Sequence, residues 1–101
     1  MPKRTIDHRS ALLQELQDPQ TAAHYINASL EDSEDMLLIA LRDVAEAKQM
    51  SKVAEDAGVA REALYKMLSE AGNPRYSSLA GVLSALKLRI RIEPIEEPSP
   101  R

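Results

Sequence analysis

Four side chains near the middle of the sequence have the chemistry required to contact DNA bases. Arg61 can donate two hydrogen bonds to the O6 and N7 acceptors of guanine, and Glu62 can accept one from N4 of cytosine. Tyr65 and Lys66 can reach a base edge or a phosphate. At helical spacing these side chains would share the exposed face of one short helix. The base-reading set that this spacing predicts is Ala60, Arg61, Glu62, Tyr65, Lys66 and Ser69.

Residues that could bind phosphates flank this face on both sides. Ser51 and Lys52 stand at the predicted start of the preceding helix, where free backbone N–H groups and the helix dipole favour an anion. Asn73, Arg75 and Tyr76 follow the reading helix in a predicted loop. Phosphate contacts fix the register of a protein on DNA and give salt-dependent affinity. Asn73 could equally be a turn residue, and Tyr76 a packing residue.

These residues can act together only if two short helices are held at a steep angle. Ala54 is small enough for crossing helices, and Gly58 tolerates the positive φ that a tight turn requires. The second helix would run from about Ala60 to Glu70. Residues 50–69 therefore predict a helix-turn-helix. The apolar side chains that would hold its second helix in place are Val53, Ala57, Val59, Leu64 and Met67.

Further helices are predicted on either side. Residues 1–17 form an N-terminal arm that could include a short helix. Asp18 is a good N-cap and Pro19 suits the first helical position, so a helix should run to about Leu30. Another should span residues 33–48, and a last one should begin at residues 77–78. Gly81, in the middle of that last helix, predicts the close approach of another helix.

After Leu86 the spacing of apolar residues changes from helical to alternating. Leu88, Ile90 and Ile92 alternate with charged residues, which predicts a half-buried strand. Because a lone strand exposes unpaired backbone groups, we expect it to pair with a second copy across a two-fold axis. Alternatively, the strand could pair with residues 4–7 or with another protein. The predicted fold is thus all-α, a five-helix domain over residues 18–93 with one short C-terminal strand, followed by a Pro-rich flexible tail, 94–101.

The charges are unevenly distributed along the chain. The net charge is −3, and between Asp18 and Glu46 seven acids face one base, Arg42. Residues 50–78 are balanced, with four bases and four acids. The acidic half suggests a basic second partner, although a solvated face is an equal interpretation. The candidate residues for that partner are Glu31, Asp32, Glu34, Asp35, Asp43 and Glu46.

Other functional classes find little support. The chain has no cysteine, and His8 and His24 lack partners at metal-ligand spacing. No glycine-rich phosphate loop or nucleophile-base set occurs, so we expect neither an enzyme nor a cofactor or metal site. No apolar run is long enough to span a bilayer, and we expect a cytoplasmic location.

Several segments resemble the HigA-like addiction-module antidote family, in the lambda-repressor-like (XRE-type) group. They are Asp18-Pro19, LEDSEDMLLIALRDVAEA, AEDAGV, REALYKMLSEAGNPR and LKLRIRIEP, within about Leu16 to Pro94. The resemblance implies a DNA-binding antitoxin that neutralises a small, basic RelE/ParE-type (HigB-like) toxin and represses its own operon. The acidic residues would then face the toxin. A free-standing prophage-type repressor and a helical interaction module without DNA binding are the alternatives.

Overall fold

A computed structural model describes residues 4–69 and 72–96. The regular secondary structure of these residues is entirely helical. Residues 1–3 of the predicted arm, Glu70 at the predicted end of the reading helix, and residues 97–101 of the predicted tail lie outside the described part. The helices are α1 (Arg4–Glu15), α2 (Pro19–Asp32), α3 (Met36–Ala47), α4 (Met50–Ala57), α5 (Arg61–Met67) and α6 (Tyr76–Ala85).

Local capping chemistry sets the start of α2 as predicted. Asp18 adopts extended backbone, and its carboxylate accepts hydrogen bonds from the backbone N–H and the hydroxyl of Thr21, both at 3.0 Å. Pro19 occupies the first helical position, where no backbone donor is needed. The Thr21 N–H also keeps the pKa of Asp18 below its ordinary value.

The core is aliphatic throughout, as a sequence without Phe or Trp requires. Helices α2 and α3 pack together, α1 lies against α3, and α4 packs on both α5 and α6. The side chains that are at least nine-tenths buried are Leu16, Ala22, Ile26, Ala40, Leu41, Val44, Ala45, Ala47, Met50, Val53, Ala54, Leu64, Leu68, Val82, Leu83 and Leu86.

The prediction of a C-terminal strand is wrong, because the described residues contain six helices and no strand. A strand requires a neighbouring backbone for its hydrogen bonds. The residues 4–7 that were one candidate partner belong to α1. Ile90 and Ile92 are exposed, with 43% and 93% of their surface accessible.

The alternation of apolar and charged residues suggested a strand, but Leu88 is apolar because it packs at the end of α6. It closes the end of α6: its N–H donates to the carbonyl of Leu83 at 2.8 Å, and Lys87 N–H donates to Ser84 at 2.9 Å. Lys87 adopts a left-handed conformation, φ 67°. This pair of bonds is the Schellman motif, in which an apolar residue after the cap contacts the last turn of the helix.

Three further expectations need correction. Helix α4 begins at Met50, with Gln49 (φ 77°) in the N-cap position, so Ser51, expected at the start of this helix, lies within its first turn. Helix α6 begins at Tyr76, one residue before the predicted serines. A Cβ added to Gly81 would meet no atom within 4 Å, so no helix approaches it closely.

None of the helices in residues 4–69 and 72–96 is long and apolar enough to cross a membrane.

Candidate nucleic-acid interface

The turn between α4 and α5 is built as the sequence predicts. Gly58 has φ 76°, which strains any residue with a Cβ. Its N–H donates to the carbonyl of Glu55 at 3.1 Å, and the N–H of Val59 donates to the carbonyl of Ala54 at 3.0 Å, so two of the last four carbonyls of α4 accept hydrogen bonds. Helix α5 begins three residues after Gly58, at Arg61. Three residues, 58–60, thus connect the two helices.

Helix α5 has one buried side and one exposed side. Leu64 is fully buried, Leu68 directly after the helix is 1% exposed, and these two residues hold the helix against α4. Of the predicted base-reading set, Tyr65 and Ser69 are half-buried, and the Ser69 hydroxyl donates to the carbonyl of Lys66 at 2.8 Å. Sequence reasoning missed Ala63, which is also exposed. The exposed members of the predicted set are Ala60, Arg61, Glu62 and Lys66.

Tyr65 is engaged with arginines rather than extended toward solvent. Its hydroxyl accepts a hydrogen bond from Nη2 of Arg61 at 3.3 Å, and the Arg61 guanidinium carbon lies 5.0 Å from the ring centroid. The guanidinium carbon of Arg42, on α3, lies 5.4 Å from the same centroid. Sequence reasoning missed Arg42 as part of this site, because no local pattern relates it to Tyr65.

The predicted phosphate-binding residues lie at different places on the surface. Asn73 lines a shallow depression with Lys66 and Ser69, so it joins the C-terminal end of the reading face. Lys52 instead lies in a depression with Gln17 and Lys48, near the junction of α1 and α2. All five predicted residues are exposed: Ser51, Lys52, Asn73, Arg75 and Tyr76, the last with 71% of its surface accessible. Tyr76 is therefore not a packing residue.

The six acidic residues also divide into two groups. The first group is exposed and surrounds the connection between α2 and α3: Glu31, Asp32, Glu34 and Asp35. Asp43 and Glu46 lie in the second half of α3 and are half-buried. A partner that approaches the α2–α3 connection would meet the first group directly.

Asp43 and Glu46 already have partners within the protein. Arg9 of α1 donates from Nη1 to Asp43 at 2.9 Å and from Nη2 to Glu46, and these bonds raise the pKa of Arg9. The Tyr25 hydroxyl donates to the other oxygen of Asp43 at 2.6 Å. Burial and this hydrogen bond raise the pKa of Tyr25 to about 12. These bonds attach α1 and α2 to α3, so Asp43 and Glu46 have a structural role.

Together the fold and the exposed face define a small helical domain with a two-helix turn and an acidic flank. A family model described as "Probable addiction module antidote protein" matches residues 8–94. An uncharacterized protein of Haemophilus influenzae is 44% identical over 70 residues, which cover 68% of this chain and 72% of that protein. No solved structure matches the chain significantly. The chain belongs to the addiction-module antidote family, and its role is that of an antitoxin with a toxin as partner.

Proposed function

We propose that the protein is a DNA-binding antitoxin of the HigA-like, helix-turn-helix type, which neutralises a RelE/ParE-type toxin and represses its own operon. The observation that supports DNA binding is the short helix α5, held by a glycine turn with Arg61, Glu62 and Lys66 exposed together. A helix presented in this way can enter a major groove and place its N-terminal residues against base edges.

The test is a titration of the protein against its own upstream DNA and against random DNA, at two salt concentrations. Replacing Arg61 by Ala should cost about 1–3 kcal/mol on the upstream DNA and reduce the preference over random DNA. Arg75→Ala is the matched control. It should weaken binding to both DNAs equally and lower the salt slope by about 1, because a phosphate contact does not read sequence.

Equal affinity of the Arg61→Ala variant and the parent would exclude Arg61 as a base-contacting residue. If the parent itself bound upstream and random DNA equally, autorepression would be excluded, and the helical interaction module would become the better description.

For the toxin, the proposed contact is the exposed acidic group around the α2–α3 connection. Its four carboxylates are uncompensated by any base between residues 31 and 35, so a basic partner would gain favourable long-range attraction there. Asp43 and Glu46, the other two candidates, lie in the second half of α3 and would have to exchange their bonds to Arg9 before they could bind the toxin.

The test is co-expression with the neighbouring genes, followed by co-purification at increasing salt. We expect a small basic protein to be retained by the parent chain. Replacing Glu31, Asp32, Glu34 and Asp35 by their amides should release that protein at lower salt. Recovery of no basic partner would favour the free-standing repressor. If the amide variant retained the basic protein up to the same salt concentration as the parent, the toxin contact would have to lie outside this acidic group.

We further propose that the chain acts as a homodimer through its C-terminal segment. Ile90, Ile92 and Ile95 are 43%, 93% and 84% exposed, so a second copy that covered these side chains would remove apolar surface from water. Arg91 and Glu93 flank Ile92 with opposite charges, so two copies related by a two-fold axis near Ile92 would bring these charges together. Two reading helices could then occupy successive major grooves about 34 Å apart.

Sedimentation tests the dimer. Ile92→Lys should yield a monomer, whereas the matched control Ile39→Lys, at a 37% exposed position on α3, should leave the dimer intact. A parent chain that sediments as a monomer, or a dimer that survives Ile92→Lys, would contradict this interface.

A further inference from the structure

Tyr65 is the meeting point of two arginines that come from different helices. Arg61 is the first residue of α5 and lies one turn before Tyr65, with its guanidinium carbon 5.0 Å from the ring centroid. Arg42 comes from α3, and its guanidinium carbon is 5.4 Å from that centroid. Both distances are within the range of a cation–π contact. The ring thus links the proposed reading helix, α5, to α3.

Helix α5 depends on such external contacts for its orientation. It has seven residues, and its N-cap residue, Ala60, provides no side-chain hydrogen bond. A helix of this length is not stable by itself in water. Arg61 lies in the first turn, where an uncapped helix frays. Its side-chain contacts, to the ring and to the hydroxyl of Tyr65, therefore help to determine where its guanidinium points.

Arg42 is itself held in place. Its Nε lies 3.5 Å from an oxygen of Glu46, one turn later on α3. The other oxygen of Glu46 accepts from Arg9 of α1. A continuous series of contacts therefore runs from α1 through α3 to Tyr65 and Arg61. The carboxylate of Glu46 balances the charge of Arg42. What Arg42 offers to the Tyr65 ring is therefore mainly the flat face of its guanidinium group.

We propose that Arg42 is a positioning residue for DNA recognition: it holds the Tyr65 ring, and through the ring it holds Arg61 in the orientation that contacts a base. The inference rests on the proposed DNA-binding function. It assigns Arg42 no contact with DNA. A direct phosphate contact by Arg42 is the competing explanation, and the two differ in what a lysine at this position would do.

Arg42→Lys is the informative substitution, because it keeps the charge but loses the planar group that lies over the ring. Positioning predicts that the preference for upstream over random DNA falls roughly two- to fivefold, as expected when an exposed contact between a guanidinium and a ring loses about 0.5–1 kcal/mol. The salt slope should stay unchanged, since no charge is removed. A phosphate contact predicts the opposite, with the preference retained in Arg42→Lys and the salt slope lowered in Arg42→Gln.

A second set of variants shows whether the effect passes through the ring. Tyr65→Leu removes the ring, so adding Arg42→Lys to it should cause no further loss of preference. Far-ultraviolet circular dichroism and the urea midpoint of each variant control for folding. Additive losses, an unchanged preference in Arg42→Lys, or the phosphate-type result would each overturn the inference while leaving the proposed function standing. A parent chain with no preference for its upstream DNA would overturn both.

Discussion

Two glycines allow one chemical change, Gly→Ala, to be tested at sites where the structure predicts opposite results. Gly81 lies inside α6, and a Cβ added there would meet no atom within 4 Å. Gly58 also has open space around it, but its φ is 76°. Since neither alanine would clash, backbone conformation alone should decide the sign of each effect.

The magnitudes follow from that difference. Gly81→Ala should stabilise the protein by about 0.5–1 kcal/mol, because alanine loses less backbone freedom on folding in a helix. Gly58→Ala gains the same entropic term but must adopt left-handed backbone at a cost of about 1–2 kcal/mol. The net result should be a loss of about 1 kcal/mol. For a domain of this size, 1 kcal/mol corresponds to a Tm shift of roughly 4–8 °C.

Urea denaturation followed by circular dichroism measures both effects. An unchanged m-value in each variant would show that only stability has changed. We expect the midpoint to rise for Gly81→Ala and to fall for Gly58→Ala. A fall for Gly81→Ala would refute the reasoning, because it would mean that another element does approach α6 there.

Three further changes test single contacts. Lys87→Gly should stabilise by up to about 1 kcal/mol, since φ 67° suits glycine, and thermal unfolding will measure it. The pKa of Tyr25, raised to about 12, means that stability present below about pH 10 declines as pH rises toward 12. Tyr25→Phe should flatten that alkaline decline. The lowered pKa of Asp18 means that stability present above about pH 4 is lost in acid. Asp18→Asn keeps a cap, so its urea midpoint should depend less on pH.

Much of the fold could be predicted because short-range chemistry determines it. The Asp18 cap bonds to a residue three positions away, and the Gly58 turn is closed by bonds between residues at most five positions apart. The buried side of α5 follows from helical periodicity, which places Leu64 and Leu68 on one face. Such features depend on neighbours in the chain, so the sequence alone determined them.

What only the tertiary structure decided involves residues that are distant in sequence. Arg9 meets Asp43 and Glu46 across 34 and 37 positions, so these two acids have partners within the protein that no local sequence pattern predicts. Arg42 reaches Tyr65 only because the fold brings side chains of α3 and α5 together. The strand failed for the same reason, since alternation shows which side chains are apolar, whereas a strand exists only where a second backbone lies beside it.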